Sequence, residues 1–362
     1  MLYYRELTDL MRSFTNKLMD DESRELYDAR LEYYFKRDED LVQERIFNIA
    51  KGYSDTFRCW GLDSYYNRHP ENVNLPLIVF GAGNMGRQTI RALRLLDKKI
   101  ELVVDNSKEL KGKEIYGYKI HSPEIISESN GIVVVAVDRL LQIEIYYQLL
   151  SLGIDETKII MHQEGGLYLD FGTQYFDVKD VSPSPDGEIF VDAGCFDGKT
   201  SFNASEWANG NLNKIYAFEP DVNSLENCDA KLQSIGCEYE LHNFATWDKE
   251  TMLSFDVHMN AGYGSKVSEF GASHVKANSI DNIVQGRPVT YIKLDVEGSE
   301  LKTLEGAIST IKKWRPKLAI SIYHKPEDIL ELPAFVEKLG LNYKYYIRQY
   351  QTRIYETTLY AV

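Results

Sequence analysis

Residues 188–202 read EIFVDAGCFDGKTSF. A strand pattern, EIFVDA, comes first, then a loop with glycines at 194 and 198, then a segment with a helical pattern. A glycine loop between a strand and a helix directs backbone N–H groups at one spot, where α/β folds commonly bind a nucleotide. The stretch therefore predicts a nucleotide-type ligand, and the chemistry of the loop indicates which one.

Acidic residues flank this loop. Asp192 precedes it, Asp197 lies within it, and only two glycines of the dinucleotide pattern G-x-G-x-x-G remain. Two carboxylates would repel a pyrophosphate, but they would attract a sulfonium and an ammonium group. S-adenosylmethionine carries both of these cations and no phosphate. The loop therefore favours S-adenosylmethionine over NAD.

The ends of the next two predicted strands support the same ligand. Glu219, in KIYAFEP, stands 21 residues after Gly198, and Pro220 ends that strand. A carboxylate at this point can accept hydrogen bonds from both ribose hydroxyls. Ala245, in HNFATWD (242–248), is predicted to end the third strand, where a small residue leaves room for adenine. The glycine loop, Glu219 and Ala245 are each predicted at the carboxyl end of a strand, where open α/β sheets bind ligands.

Apolar strand patterns alternate with helical patterns along most of the chain, which predicts an α/β fold with sheets covered on both faces. Residues 175–362 contain about seven strand patterns, and we expect a doubly wound sheet whose last two strands form a hairpin. Residues 73–166 predict a smaller Rossmann-like domain on about three strands. Residues 1–72 are charged and predict a helical segment.

Several motifs in the C-terminal half resemble the FkbM family of S-adenosylmethionine-dependent methyltransferases. They are VDAGCFDGKTS, YAFEPD, Ser-Ile-Asp-Asn at 279–282, YIKLDVEGSELKTLEGA and the closing ETTLYA. The resemblance covers residues from about 175 to the end. It implies a Rossmann-like class I methyltransferase domain, S-adenosyl-L-methionine as cofactor, and O-methylation of a hydroxyl, commonly on a sugar or a polyketide-type metabolite. It does not identify the acceptor.

Carried onto this chain, the resemblance and the strand ends imply one cofactor site. Its residues are Asp192, Ala193, Gly194, Phe196, Asp197, Gly198, Thr200, Glu219, Pro220 and Ala245. The stretch 256–278 is rich in glycine and serine without a clear pattern, so no substrate contacts are assigned there.

A sugar hydroxyl is a poor nucleophile, so methyl transfer to it needs a base or a metal. The candidates are Asp295, Glu297 and His324, each at or just past the end of a predicted strand. Asp295 could instead cap the following helix, Glu297 could be a first-turn acid, and His324 could be an ordinary hydrogen-bonded histidine. Glu300 is predicted to be structural. The paired carboxylates of Asp295 and Glu297 could hold Mg²⁺ to acidify the acceptor. Because Asp-x-Glu alone supplies few ligands, no metal site is predicted, and metal dependence is left open.

An upstream loop, GAGNMG (81–86), matches the dinucleotide pattern at Gly81, Gly83 and Gly86, and Asp105 stands 19 residues after Gly86. Read alone, it predicts a nicotinamide-dependent sugar oxidoreductase. It also resembles the small Rossmann-like domains of sugar-modifying enzymes, in which FGAG, VDN and SPE recur. That resemblance implies a nucleotide or nucleotide-sugar site, a role in presenting the acceptor, or a purely structural module.

Composition narrows the class of protein. The formal net charge of −14 argues against a nucleic-acid partner. The four cysteines show no C-x-x-C pair, which fits a reducing compartment. The start of the chain lacks an apolar signal core, and the longest apolar run, IVVVAV at 132–137, is too short to span a membrane.

From composition and motifs together we expect a soluble cytoplasmic enzyme with a small-molecule or glycan acceptor and no membrane partner. Homo-oligomerisation is left open. A non-catalytic nucleotide-binding module is the alternative to an enzyme.

Overall fold

The fold is taken from a computed structural model. It describes residues 11–51, 58–161, 169–170, 174–256, 266–267, 273–351 and 354–362. The chain divides into two compact units. The large unit comprises Met1–Val42, Thr173–Gln349 and Ile354–Val362, and the small unit comprises Gln43–Gly172 and Tyr350–Arg353. Each unit is built on a sheet with helices, so the predicted α/β class is confirmed.

The N-terminal half contains mainly short strands and helices of moderate length. In chain order they are α1 (Asp21–Lys36), α2 (Glu39–Lys51), β1 (Arg58–Cys59), α3 (Trp60–Arg68), β2 (Leu77–Phe80), α4 (Asn84–Leu95), β3 (Ile100–Val104), β4 (Glu114–Ile115), β5 (Tyr118–His121), β6 (Ile132–Val135), α5 (Arg139–Ser151), β7 (Ile159–Met161) and β8 (Leu169–Asp170). Short 3-10 helices lie at Pro70–Asn72, Pro123–Glu128 and Glu156–Lys158. Among the described helices, none has the length and apolarity needed to cross a membrane.

The small unit has a six-stranded sheet in the order β4-β5-β3-β2-β6-β7, and only the β4–β5 pair is antiparallel. Strands β2 and β6 are buried along their whole length, as expected for parallel strands covered on both faces. The expectation of about three strands was wrong. Strand β5 (YKIH) was missed because it alternates polar and apolar residues, and β4 and β7 because they have only two and three residues.

The large unit contains the remaining elements. In chain order they are β9 (Glu188–Ala193), α6 (Lys199–Trp207), β10 (Leu212–Phe218), α7 (Leu225–Ile235), β11 (Glu238–His242), β12 (Ala245–Thr246), β13 (Thr251–Asp256), β14 (Lys266–Val267), β15 (Ser273–Asn278), α8 (Ile280–Val284), β16 (Tyr291–Leu294), α9 (Glu300–Glu305), α10 (Ile308–Trp314), β17 (Lys317–Ser321), α11 (Asp328–Lys338), β18 (Tyr345–Gln349) and β19 (Thr357–Ala361).

The main sheet of the large unit has seven strands in the order β11-β10-β9-β16-β17-β19-β18. Strand β19 runs antiparallel to both of its neighbours, which confirms the predicted terminal hairpin. From β9 the chain builds outward through β10 on one side and later through β16 on the other. The order therefore reverses between β9 and β16, and open sheets bind ligands at the carboxyl ends of strands at such a point.

A second sheet in the large unit was not predicted. It has the order β12-β15-β13-β14, and its strands come from residues 245–278. Much of the stretch 256–278 lies outside the described residues.

An aromatic cluster anchors the segment that leads into β9. The Phe176 ring lies 6.0 Å from that of Phe190, 5.7 Å from Tyr291 and 5.3 Å from Trp207, measured between ring centroids. Edge-to-face and tilted contacts at these separations are favourable beyond their area of burial. The cluster fixes the position of the neighbouring Tyr175, whose side chain reaches the site described below.

Helix α1 covers the edge strand β18 through polar contacts. The Ser23 hydroxyl, fully buried, accepts a hydrogen bond of 2.9 Å from the backbone N–H of Ile347. The Arg348 guanidinium lies 2.6 Å from Asp20 and 3.2 Å from Glu22. These contacts occupy backbone and side-chain groups at a strand edge that would otherwise be open to pairing with another chain.

We expect Ser23→Ala to destabilise the large unit by about 1–3 kcal/mol, because it leaves a buried backbone N–H without its acceptor. Chemical denaturation of the full chain, followed by tryptophan fluorescence, measures this. Ser13→Ala, at an exposed position nearby, is the matched control. Equal stability of the two variants would contradict the proposed anchor.

Candidate active site

The loop after β9 is locked between two other strand ends. The backbone N–H groups of Gly194 and Cys195 both donate to the Phe218 carbonyl, at 3.0 and 3.1 Å. Gly194 has φ = 79°, and a Cβ at this position would lie 1.9 Å from the Asp295 carbonyl oxygen. Only glycine allows this approach. The loop therefore rests directly on the ends of β10 and β16.

The rest of the loop leads into α6. The N–H of Gly198 donates to the Cys195 carbonyl at 2.8 Å, and Asp197 accepts from the Lys199 N–H at 3.0 Å. Phe196, Asp197 and Thr200 are half-buried. Their predicted contacts with the cofactor stay predictions, and the structure places them at the loop and the first turn of the helix.

Cys195 packs as a buried thiol. Its sulfur lies 3.4 Å from that of Cys228, and both side chains are buried. The contact with Cys228, together with burial, raises the pKa of Cys195 well above its ordinary value. A thiol in this state is a poor nucleophile, so Cys195 fills space in the loop.

Asp192 lies beneath the loop and pairs with a lysine. Its carboxylate is fully buried, lies 3.1 Å from Lys293 Nζ and accepts from the Ser201 hydroxyl at 2.8 Å. Lys293 Nζ also donates to the Gly194 carbonyl at 2.6 Å. Burial disfavours its charge, but Asp192 and Asp295 outweigh burial and raise the pKa of Lys293.

The sequence reading placed Asp192 along the cofactor, whereas in the structure its described contacts are with these protein groups. It overlooked Lys293, although a lysine inside the apolar strand YIKL was a visible signal.

Glu219 is held at the end of β10 by two backbone donors. Its carboxylate accepts from the N–H of Phe196 at 2.9 Å and from that of Asp221 at 2.8 Å. Burial raises its pKa. Each oxygen of a carboxylate has two acceptor positions, so Glu219 can accept further donors such as ribose hydroxyls. Pro220 follows it, and the Asn243 amide donates to the carbonyls of both residues.

The two alanines predicted to line the cofactor site, Ala193 and Ala245, lie in different sheets. Ala193 is the buried last residue of β9, and its carbonyl accepts from the Asp295 N–H at 3.1 Å. The expectation that Ala245 ends the third strand was wrong, because β11 ends at His242 and Ala245 pairs with Ala277 in the second sheet.

Asp295, directly after β16, is the centre of a polar cluster. Its carboxylate accepts from the Tyr175 hydroxyl at 2.9 Å and from the Tyr323 hydroxyl at 3.2 Å. Burial opposes ionisation of Asp295, but Lys293 and His324 outweigh it and hold the pKa of Asp295 below its ordinary value. Asp295 is therefore an anion at neutral pH.

His324 faces three carboxylates. Its Nε2 lies 3.4 Å from Asp295 and 3.5 Å from Glu297, and its Nδ1 lies 2.9 Å from Glu300. Burial lowers the pKa of an imidazole, but these acids, Glu300 foremost, raise the pKa of His324 to about 9. An imidazole already protonated at neutral pH cannot take a proton from an acceptor. The structure thus favours Asp295 over His324 as the base.

Sequence reasoning missed several members of this cluster. Tyr175 and Tyr323 contact Asp295, and Glu300 contacts His324. Glu356 accepts from the Tyr323 hydroxyl at 3.4 Å and from the Gln174 amide at 2.8 Å. The available signal was the position of Glu356 at the start of ETTLYA and of Glu300 in LDVEGSE.

The glycine loop of the small unit is explained by contacts within that unit. A Cβ at Gly86 would lie 1.9 Å from the Gly81 carbonyl oxygen, so α4 packs closely on the loop. Asp105 accepts from the N–H of Ala82 and from that of Ser107, each at 2.7 Å. A Cβ at Gly83 would have no described heavy atom within 4 Å. A nucleotide site here stays a prediction.

Most of the large unit matches a known family. Residues 192–345 match the family model described as the methyltransferase FkbM domain. The chain carries an FkbM methyltransferase domain. The protein is a methyltransferase, and S-adenosylmethionine is the methyl donor of its family. Residues 60–160 match a second family model, the C2185-like N-terminal domain.

The solved structures that the chain matches include two methyltransferases. One is the FkbM methyltransferase of Methylobacillus flagellatus KT, 18% identical over 89% of this chain and 100% of that one, with a TM-score of 0.48. Another is the precorrin-6y C5,15-methyltransferase of Geobacter metallireducens GS-15, 14% identical over 49% and 78% of the two chains, with a TM-score of 0.28. Comparison with curated proteins gave no significant match.

The charge of His324 predicts a pH-dependent stability of the methyltransferase. The folded pKa of about 9 lies above the ordinary 6.5. The protonated imidazole therefore stabilises the fold fully below pH 6.5, and this contribution is lost as the pH rises through 9. Between those limits, in buffer with a chelator, the free energy of unfolding should fall by roughly 2–3 kcal/mol more for the wild type than for His324→Gln.

Denaturant titrations across this pH range measure the difference. His121→Gln, in the small unit, is the control and should retain the wild-type pH dependence. Identical pH profiles for the wild type and His324→Gln would show that His324 is neutral in the folded protein.

Proposed function

We propose that this methyltransferase transfers a methyl group from S-adenosylmethionine to a hydroxyl oxygen of a sugar, glycan or related small molecule. The position of Asp295 carries the proposal. It is an ionised carboxylate at the strand end beside the switch point, and its backbone contacts the glycine loop. A base at this point is within reach of an acceptor placed over the cofactor's methyl group.

The acids that remain available for the donor support the proposed cofactor pose. Asp197 is half-exposed at the start of α6, and Glu219 lies at the end of β10. Both flank the loop between β9 and α6. We infer that Glu219 accepts from the ribose hydroxyls and that Asp197 lies near the positively charged amino-acid portion of the donor.

The proposed reaction is an in-line displacement. The acceptor oxygen forms a bond to the methyl carbon while the carbon–sulfur bond breaks. The electron pair of the broken bond stays on sulfur, which gives S-adenosylhomocysteine. The hydroxyl proton passes to Asp295 and then to solvent. The enzyme's contribution is to hold the oxygen about 3 Å from the methyl carbon and to receive the proton.

Tyrosines near Asp295 support a polyhydroxylated acceptor. Burial raises the pKa of Tyr175 and of Tyr323 well above the ordinary value, so both hydroxyls remain hydrogen-bond donors. The ring of Tyr355, which is 41% exposed, lies 6.2 Å from that of Tyr323. Aromatic faces combined with hydroxyl and carboxylate groups suit the apolar faces and hydroxyls of sugars.

We expect S-adenosylhomocysteine to bind the full chain. Glu219→Ala should weaken binding about tenfold or more, because the ribose hydroxyls lose their hydrogen bonds to a carboxylate. Isothermal titration calorimetry measures both affinities. Glu206→Ala removes an exposed acid near the C-terminal end of α6 and should bind like the wild type. Absence of binding by the wild-type protein would refute the proposed cofactor site.

We expect Asp295→Asn to lower the rate of methyl transfer about 100-fold or more, since the amide cannot accept the proton. Affinity for S-adenosylhomocysteine should change far less. Transfer of labelled methyl groups to a fractionated carbohydrate pool provides the assay. Asp186→Asn, in the turn before β9, is the control.

The chemistry of the product tests the acceptor class in the same assay. A methyl ether survives mild alkali, whereas a methyl ester releases volatile labelled methanol. Label that is lost in alkali, or that resides on nitrogen or sulfur, would contradict O-methylation of a hydroxyl.

A further inference from the structure

A carboxylate–imidazole cluster borders the methyl-donor crevice. Ligand atoms of Asp295, Glu300 and His324 all lie within 4.8 Å of one another. We propose that these three side chains form a binding site for a divalent cation such as Mn²⁺ or Mg²⁺. The binding of the cation is independent of the acceptor, while its role in catalysis rests on the function proposed above.

The spacing of the side chains suits a common ion. His324 Nε2 lies 3.4 Å from Asp295 Oδ1 and 3.5 Å from Glu297 Oε2. Two ligand atoms that are each about 2.1 Å from one metal ion, at angles between the octahedral and tetrahedral values, are about 3.0–3.5 Å apart. Glu297 is thus placed to join the three ligands by a small rotation of its side chain.

Glu300 provides an independent observation. It is only 1% exposed, and its Oε1 accepts from the N–H groups of Val296 and Gly298 at 3.0 and 3.4 Å. Its Oε2 is buried and, among the described residues, has no hydrogen-bond partner. Neither imidazole nitrogen of His324 makes a well-aligned hydrogen bond to a described residue. His324 Nδ1 lies 2.9 Å from Glu300 Oε1. Buried polar atoms ordinarily have a partner, and Oε2 of Glu300 is therefore the atom of the cluster that a cation could bind.

Carboxylates exceed cations around this point. The acids of the cluster and its immediate surroundings are Asp295, Glu297, Glu300, Asp328 and Glu356. Glu356 accepts from the Tyr323 hydroxyl at 3.4 Å, and Asp328 accepts from the N–H of Lys325, next to His324, at 2.7 Å. These two acids therefore lie close to the three carboxylates that face His324.

The neighbouring cations do not balance these acids. Lys293 is paired with Asp192 at 3.1 Å. Lys325 and Arg30 donate to backbone carbonyls. Lys293 also acts on Asp295, and among the described residues His324 supplies the positive charge that lies between the three carboxylates facing it. A metal ligand must be unprotonated, so a divalent ion bound here would displace the proton of His324 to solvent. It would then place two positive charges among these carboxylates in place of one.

The location gives the ion a function. Asp295 stands at the end of β16, and its carbonyl contacts Gly194 of the glycine loop, so a cation it ligates would lie at the edge of the crevice. A hydroxyl bound to a divalent cation loses its proton more readily than a free one. The ion would therefore orient the acceptor oxygen and acidify it.

Titration of the chelator-treated full chain with Mn²⁺, followed by the electron paramagnetic resonance signal of free Mn²⁺, tests the site. We expect one Mn²⁺ bound per chain and displacement by Mg²⁺. His324→Gln and Glu300→Gln should each weaken Mn²⁺ binding about tenfold or more, as a lost ligand does. Glu331→Gln, at an exposed position in α11, is the control and should bind like the wild type.

Calorimetry with S-adenosylhomocysteine on the same preparations separates the possible failures. If a variant does not bind S-adenosylhomocysteine or loses its circular dichroism, Asp295→Asn replaces it in the comparison. Wild-type protein that binds S-adenosylhomocysteine but neither metal overturns the cation site and leaves the methyltransferase function standing. Mn²⁺ binding that none of the cluster variants weakens also overturns it.

The donor's own charge is the rival explanation of the acidic excess. If no metal binds and S-adenosylmethionine binds much more tightly than S-adenosylhomocysteine, the sulfonium neutralises the cluster and the cation site is refuted. If metal binds as expected, adding Mn²⁺ to chelator-treated enzyme should restore methyl transfer to labelled acceptor.

Discussion

The buried ion pair between Asp192 and Lys293 is the constraint on which the active site depends. It joins the C-terminal ends of β9 and β16, at the place where the strand order of the main sheet reverses. Lys293 also donates to the carbonyl of Gly194, so the same ammonium group holds the glycine loop. Neither charge could persist alone at this depth, because an isolated buried ion is strongly destabilising. The pair therefore fixes the glycine loop at the place where we propose that the donor binds.

The acids that can act chemically are the ones outside this pair. Asp295 remains ionised because Lys293 and His324 lie close to it, although it is largely surrounded by protein. His324 remains protonated because three carboxylates surround it. Each charge is therefore maintained by its neighbours. A site built in this way combines a proton acceptor with carboxylates that attract cations, which suits the proposed sulfonium donor. The proposed divalent ion would bind His324 by displacing its proton.

The two glycine loops of the chain look alike in sequence and differ in what surrounds them. In the small unit, the Asp105 carboxylate accepts hydrogen bonds from the backbone N–H groups of Ala82, in the loop, and of Ser107. In the large unit, Glu219 also accepts from backbone N–H groups, yet the loop lies beside an additional cluster centred on Asp295. The presence of glycines and an acid at the right spacing thus indicates a strand–loop–helix turn, and the side chains from distant strands decide its chemistry.

The sequence by itself determined the α/β class, the seven-stranded sheet with its terminal hairpin, and the methyltransferase family. It did so because strand and helix periodicity and the motifs around Asp192, Glu219 and Asp295 are local features of the chain. It missed β4, β5 and β7 of the small unit, which are short or mixed in polarity.

Tertiary structure alone decided how Asp295, Glu300 and His324 meet. These contacts join β16, α9 and the segment after β17, and the pKa values of Asp295 and His324 depend on burial and on charges distant in sequence. Periodicity carries no information on such contacts, because it reports which face of an element is buried and not which side chain lies opposite.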